Sequence, residues 1–468
     1  MTQKPWAFLT GTGSAPPQGA EPPAEMAQRA SFARAENGGL GRGGSFSFAT
    51  LAACLWMGGF PLLHLGTYTS LTRDKWMFFF LLLFLSVLCL LEDGVRHRLR
   101  PPAKAPLLMA GGLGLWMVVS CLASDLGPDS WWIGASARRE GLLTQGAYLT
   151  LFFCFACASV DPRPLLWSAA AGVAGFAAVV LLQRSGGNPF GLYPAGTSFA
   201  THPEFQGPTG NTDMGAGYLC LLSGLFLSAL GRMTRACRRR PFLRARLPWG
   251  LTLCCLGGLG ISIYLLLTME VQFALIALGA AGLLALLGLL PRRVRVLVVV
   301  LLVIAGLLMV WYWPGNSGPL WELREMLQGR PQLSFGHNRL AVWQYSLGLA
   351  KERLWLGGGS DTFEPRFNAW LQEHQFKIPT EQQGIPLPAY FDNPHNEYLA
   401  HLVNHGLPAA LLFLGLVLFA LFSPRGRRSP YRIAVAAYAV QAFFSFSVCI
   451  LAPLFWVALG LCCNEEEQ

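Results

Sequence analysis

The stretch from residue 296 to residue 313 reads VLVVVLLVIAGLLMVWYW and follows Arg292, Arg293 and Arg295. It holds no charge and no proline, and at a helical rise of ~1.5 Å per residue its length of about 27 Å comes close to a hydrocarbon core of ~30 Å, within the range that spanning helices use. Similar runs recur along the chain and set its composition: 53% of the 468 residues are apolar and only 13% are charged. Backbone polar groups in lipid must be satisfied within the segment, so such runs predict helices. The expected fold is all-α, a polytopic transmembrane bundle.

Working outward from that stretch, we expect about twelve spans: 46–66, 76–92, 105–123, 143–160, 165–183, 214–231, 249–267, 271–290, 296–313, 407–422, 432–448 and 450–463. Pro453 and a short connection allow the last two to form one broken hairpin. The net charge of +10 does not point to nucleic acid, because the basic residues form short clusters between apolar runs. With both termini in the cytoplasm, the clusters Arg96–Lys104, Arg232–Arg246, Arg292–Arg295 and Arg425–Arg432 all face inward, as most of the 35 Lys and Arg then do. Residues 1–45 are polar and rich in Gly, Ala and Pro, without the apolar core of a secretory signal, and read as a disordered cytoplasmic tail. Residues 464–468 form a second cytoplasmic tail. The twelve cysteines lie mostly in or beside apolar runs, and Cys154 and Cys157 read as small hydrophobes rather than a redox pair.

Three segments face outward under this topology: 124–142, 184–213 and 314–395, the last between spans nine and ten. A loop of that length inside a compact protein should fold. Leu340, Trp343, Leu347, Ala350 and Leu354 recur at helical spacing before Gly357-Gly358-Gly359, which predicts an amphipathic helix on the bundle or bilayer surface. A second helix follows from Asn396 to His405. It places Glu397, His401, Asn404 and His405 on one face and Leu399 and Leu402 on the other, with the span itself starting near Gly406.

The densest polar cluster beside a span is Asp392-Asn393-Pro394-His395-Asn396-Glu397-Tyr398-Leu399. Before it come His337-Asn338-Arg339 and Gly358-Gly359-Ser360-Asp361-Thr362-Phe363. Arg139-Glu140-Gly141-Leu142-Leu143-Thr144, Gly210-Asn211, Gly217-Tyr218-Leu219 and Phe455-Trp456 complete an ordered set. In order and spacing the set resembles the O-antigen ligase and Wzy polymerase family over roughly residues 105–463.

That resemblance implies a membrane-embedded glycosyltransferase of the C type, working without metal, cofactor or nucleotide sugar. It implies inverting transfer of a glycan from a polyprenyl-pyrophosphate carrier to an acceptor glycan or glycolipid hydroxyl, at the bacterial cytoplasmic (inner) membrane. The loop 314–395 then carries the chemistry, 46–313 holds nine spans, and 396–463 the interfacial helix and three more. Family members commonly carry a Ser-Arg pair where this chain reads Thr268-Met269-Glu270-Val271-Gln272, so Glu270 and Gln272 depart from the pattern.

The residue chemistry agrees. Glycosyl transfer from a diphosphate needs a group to take the hydroxyl proton and fixed positive charge for the leaving diphosphate. His395 suits the first role, since imidazole exchanges a proton near neutral pH, and the bland alternative is that it caps the following helix. Arg339 suits the second: a cation in the first turn of a helix opposes the helix dipole unless an anion lies between them. Arg138, Arg139 and Arg184 are further diphosphate candidates, and His337, Asn338, Asn211, Asn396 and Glu397 are expected around the substrate. His401 and His405 have zinc-compatible spacing but lack a third ligand, so no metal is expected. The rival readings are a secondary transporter or flippase, which usually shows two similar halves, and a noncatalytic scaffold of an envelope complex.

Overall fold

The computed structural model of the protein describes residues 47–239, 248–333, 335–374, 378–379, 386–387 and 391–464. The expected tail at 1–45, the expected tail at 464–468 apart from the buried Asn464, and the basic positions Arg240, Arg244 and Arg246 lie outside the described residues, as does the side chain of His337. The chain folds into α1 (Phe48–Cys54), α2 (Leu71–Val95), α3 (Lys104–Leu122), α4 (Pro128–Trp131), α5 (Leu142–Ala156) and α6 (Pro162–Arg184). Then follow α7 (Thr212–Arg239), α8 (Trp249–Met269), α9 (Gln272–Leu287) and α10 (Arg292–Trp311). The expected outer loop holds α11 (Pro319–Leu327), α12 (Phe335–Glu352), α13 (Phe363–Glu373) and a two-residue antiparallel ladder pairing Ile378 with Leu387. The chain ends with α14 (Glu397–Phe422), α15 (Pro424–Arg428), α16 (Arg432–Ala442) and α17 (Ala452–Cys463).

Among the described residues, seven helices (α2, α3, α6, α7, α8, α10 and α14) are long and apolar enough to cross a membrane, and four shorter apolar ones accompany them. The burial pattern identifies the solvent. Leu108, Leu115 and Leu122 recur every second turn of α3 with their side chains outward, while Ser120 faces inward and is fully buried. On α2, Phe84 and Leu91 point out and Ser86 and Asp93 point in. An apolar exterior around buried polar groups is stable in lipid and unstable in water. At the centre, every residue of α17 is buried, as expected of a helix that is apolar all round. It packs on α5, where a Cβ at Gly460 would sit 2.7 Å from the carbonyl of Phe152.

Two elements differ from the sequence reading. The expected span 46–66 is a helix that changes form, from α through a π segment (Leu55–Gly59) to a 3₁₀ turn (Phe60–Leu62). Pro61 ends it, and the freed carbonyls of Phe60 and Pro61 accept hydrogen bonds from Lys75 Nζ at 3.0 and 2.8 Å. Lys75 is completely buried, a cation placed against a helix C-terminus. The expected span 432–448 ends at Ala442, and the chain turns through residues 443–451 before Pro453 opens α17.

The outer helices form a second, smaller core, with Ala341, Val342, Leu349 and Ala350 of α12 against Phe363, Phe367 and Trp370 of α13 and Leu399 and Val403 of α14. The expected stripe is corrected in part: Ala350 packs in this core, whereas Leu347 and Leu354 are exposed, because the core lies under Val342 and Leu349 instead. The stripe's other side, with Trp343 and Leu347, lines an open apolar groove.

The junction between outer core and bundle is a break in α14 at Gly406, where φ is 81° and ψ is 177°. Interruption frees the Asn404 carbonyl, which accepts the amides of Gly358 at 3.0 Å and Gly359 at 2.7 Å and the hydroxyl of Ser120 at 2.9 Å. Leu407 N in turn donates to the Leu354 carbonyl at 2.8 Å. Glycine is required on both sides of this contact. A Cβ at Gly406 would lie 2.1 Å from the Trp355 carbonyl oxygen, and one at Gly357, whose φ is 67°, would lie 2.4 Å from that of Asn404. Gly406→Ala should therefore cost about 3 kcal/mol through strain and collision, lowering the unfolding temperature of the detergent-purified protein; an unchanged transition would show that the break does not anchor the outer core.

Candidate functional site

Four segments far apart in sequence converge at the end of the bundle beneath the outer core. The second outer segment brings Arg138, which is buried and whose Nε lies 2.9 Å from Asp361 Oδ1 in the glycine turn. Its Nη1 lies 3.0 Å from Asp392 Oδ2 and 3.4 Å from Glu364 Oε2. Asp361 also accepts the amides of Ala135 at 2.7 Å and Glu140 at 3.3 Å. Burial lowers the basicity of the Arg138 guanidinium, and Asp361 and Asp392 more than offset it, holding the group above its ordinary value. Arg138 is thus a cross-brace between the second outer segment and the long loop.

Beneath the brace lies a polar cavity of about 50 Å³ walled by Glu140, Asp361, Glu397, His401, Asn404 and His405. The polar face expected on α14 does line this cavity, and Leu399 and Leu402 lie on the groove side. Glu397 is buried, not a solvated surface carboxylate, and accepts Tyr438 OH at 3.1 Å. His405 Nε2 is 2.9 Å from Ser360 Oγ, and among the described residues no group of three His, Cys, Asp or Glu could hold a metal.

His395 precedes α14. Its φ of 47° is held by Asn393, whose Oδ1 accepts the His395 amide at 2.8 Å. The helix cap is Asn396 instead, whose Oδ1 accepts the Leu399 amide at 3.0 Å. The imidazole stands edge-on to Phe446 and keeps a buried Nδ1 without a hydrogen-bond partner. Burial, then the charge of Arg339, push it down to about 4; Asp392 opposes them and Arg138 adds a smaller effect in the same downward direction. The ring is therefore neutral near pH 7, and Arg339 lies close enough to act on it.

Arg339 sits in the first turns of α12, stacked over Phe273 at 4.1 Å. Its Nη1 donates to the Gly336 carbonyl at 3.1 Å, and its nearest carboxylate is Asp213 at 3.8 Å. Burial lowers the guanidinium below its ordinary value and Asp213 only partly restores it. A network of rings connects it to His395: Phe273 stacks on Phe444, Phe444 meets Trp343, and Trp343 Nε1 donates to the Pro394 carbonyl at 3.0 Å.

The turn between α8 and α9 carries a second cation. Arg184 Nη1 donates to Thr268 Oγ1 at 2.6 Å and Nη2 to Gln206 Oε1 at 2.9 Å. Arg184 on Thr268 and Arg339 on Phe273 therefore flank one turn, the place where the sequence departs from the family pattern. Glu270 ends α8 in a left-handed conformation with its side chain exposed, and Gln272 is exposed too. Arg139, at φ 57°, lies over Trp76 at 5.3 Å. Arg139, Arg184 and Arg339 each keep a buried Nε without a partner, and among the described residues neither Arg139 nor Arg184 makes an ion pair.

The remaining expected residues are supporting elements. Asn211 Oδ1 accepts the Asp213 amide at 2.7 Å, fixing the first turn of α7 that faces Arg339. Asn338 has φ 65° and a buried Oδ1 without a partner. Glu140 was not among the expected site residues. It is buried, accepts Tyr148 OH at 2.7 Å and Gln145 Nε2 at 3.1 Å, and is pushed up to about 8, chiefly by burial, with Asp361 and Glu397 adding repulsion against the Tyr148 hydrogen bond. The signal was its place inside Arg139-Glu140-Gly141, at the mouth of an apolar run. From Asn396 onward an apolar groove of about 740 Å³ runs between α12, α14 and α16, walled by Trp343, Tyr398, Leu411 and Phe443.

If Arg138 is the brace, Arg138→Gln leaves Asp361 and Asp392 facing each other without their cation and should cost about 3–5 kcal/mol. Arg138→Gln combined with Asp361→Asn should cost less than the sum of the two single changes, measured by chemical unfolding in detergent; strict additivity would refute the brace.

Residues 257–414 match the family described as O-Antigen ligase, a segment that runs from within α8 to within α14. It includes the α8–α9 turn, the whole outer core, Arg339 and His395, and leaves Arg138, Arg139 and Arg184 outside. No curated protein matches the chain. The motifs and the match agree, and over this segment the chain is similar to the O-antigen ligase family.

Proposed function

We propose that the protein is a ligase or polymerase of surface polysaccharide that transfers a glycan from a polyprenyl diphosphate to an acceptor hydroxyl at the outer face of the bacterial inner membrane. The observation that carries this reading is the placing of His395, neutral and with an unused Nδ1, within electrostatic reach of Arg339, a largely buried cation whose one carboxylate among the described residues is Asp213 at 3.8 Å. An anionic ligand supplies the charge Arg339 lacks. The groove that starts at Asn396 gives a polyprenyl chain an apolar path from that point toward lipid. We place the diphosphate at Arg339 and Arg184 around the α8–α9 turn, with Arg139 as a third contact. Arg138 already has its carboxylates.

In this reaction the acceptor oxygen attacks the anomeric carbon as the bond from that carbon to the diphosphate oxygen breaks. The hydroxyl proton passes to the imidazole of His395, and the polyprenyl diphosphate leaves with the bonding electrons, its charge met by the guanidinium groups. A single displacement of this kind inverts the anomeric centre. No metal or nucleotide enters. The twelve-span topology with cytoplasmic termini belongs to the same proposal, supported by the basic clusters at one end of the helices.

Two outcomes are expected. In a deletion strain, His395→Ala and Arg339→Gln should each lower polysaccharide transfer about 100-fold or more while the protein accumulates normally. Normal glycan from both variants would overturn the reading. In the deletion itself, single repeat units indicate a polymerase, and long chains left on the lipid carrier indicate a ligase. The second outcome concerns pH. His395 binds its proton near 6.5 when unfolded and near 4 when folded, so its contribution to stability is present above pH 6.5 and is lost as pH falls toward 4. For the same reason kcat/KM should show no imidazole limb between about pH 5.5 and 8, whereas the limb in kcat moves upward once a bound diphosphate screens Arg339. An imidazole limb in kcat/KM that disappears in His395→Ala would contradict the neutral ring.

A further inference from the structure

The helices that reach the candidate site with one end hold a second cavity at the other. α5 starts just after Glu140 and ends just before Ala158; α6 runs from Pro162 to Arg184; α7 carries Asp213 in its first turn and Arg232 towards its other end; α8 starts just after Pro248 and carries Thr268 in its last turn. Ala158, Pro162, Arg232 and Pro248 all line a cavity of about 390 Å³, a volume within the usual range of ligand pockets. Its interior is apolar, with Leu165, Leu225 and Leu251 in the wall. Arg100, Arg163 and Arg232 also line it, and no carboxylate does among the described residues.

A second feature of the wall points to a ligand. Asn464 lines the cavity and is nine-tenths buried. Its Nδ2 donates to the Ala158 carbonyl, which fixes the orientation of the amide and leaves Oδ1 a buried acceptor without a partner. Such an atom is costly unless a donor reaches it. The cavity thus combines apolar walls, three guanidinium groups and one orphan acceptor. A free phosphate would meet only the guanidinium groups, and an acyl chain only the walls.

We infer that this cavity binds one anionic phospholipid of the adjacent leaflet, one whose headgroup adds a hydroxyl to its phosphate. The phosphate sits among Arg100, Arg163 and Arg232, the headgroup hydroxyl donates to Asn464 Oδ1, and an acyl chain lies against the leucines. Basic pockets between membrane helices at a leaflet surface commonly take lipid headgroups. The inference stands independently of the glycosyl-transfer reading, because it concerns the opposite end of the bundle.

The test uses the full-length protein, delipidated in detergent and titrated with phosphatidylglycerol, phosphatidylcholine or inorganic phosphate, read by native mass spectrometry and by unfolding temperature. Phosphatidylglycerol should be retained one per protein, bind at least about tenfold more tightly than phosphatidylcholine, and raise the unfolding temperature. Arg163→Gln with Arg232→Gln removes two exposed side chains, so it should fold as the parent does without lipid and lose that preference. Asn464→Leu should weaken phosphatidylglycerol while leaving phosphatidic acid, which has no headgroup hydroxyl, unchanged. Equal retention of phosphatidylglycerol and phosphatidylcholine, undiminished preference in the double variant, or full stabilisation by inorganic phosphate alone would each overturn the inference.

Discussion

Arg138 and Arg339 lie at the same end of the molecule, both largely removed from water, and differ in one respect. Arg138 meets Asp361, Asp392 and Glu364, with the closest contact at 2.9 Å. Arg339 meets Asp213 at 3.8 Å and an aromatic face. A guanidinium taken out of water must be matched by negative charge or remain destabilising. Where the match is internal, three segments are tied together and the outer core is held over the bundle. Where it is incomplete, an anion is what the proposed function supplies. His395 lies within electrostatic reach of both, and its neutral ring follows first from burial and then from those charges.

Much of this was legible in the sequence, and the reasons are specific. The apolar runs marked the helices because lipid leaves the backbone few alternatives. The face shared by Glu397, His401, Asn404 and His405 and the break at Gly406 followed from helical spacing and from the cost of polar groups in lipid. Less visible were features that depend on contacts distant in sequence. Nothing local shows that Lys75 will cap the carbonyls of Phe60 and Pro61, that Arg138 will find Asp361, or that Glu140 will be buried with two tyrosines nearby. The stripe on α12 misled because a helix with an apolar residue on each side has two faces to offer. Spacing alone does not say which one enters the core and which one the groove. The replacement of the family's arginine by Glu270 and Gln272 looked like a loss of positive charge, yet Arg184 and Arg339 stand on either side of that turn.

The two ends of the bundle are asymmetric in a way that suits an enzyme acting on one face of a membrane. One end combines titratable groups, incompletely matched cations and an apolar groove. The other combines arginines, a single amide and apolar walls, which is a setting for binding and not for chemistry. The buried α17 and its close packing on α5 lie between them.

The central claim is that one diphosphate lies between Arg339 and the α8–α9 turn, with its glycan facing His395. The most direct measurement is a structure of the protein carrying His395→Ala, loaded with an intact polyprenyl-diphosphate-linked glycan. The account predicts phosphate oxygens within hydrogen-bond distance of Arg339 and Arg184, the polyprenyl chain in the groove beside Tyr398 and Phe443, and the anomeric carbon facing position 395. Diphosphate density held elsewhere, with Arg339 still stacked on Phe273 and meeting only Asp213, would contradict it.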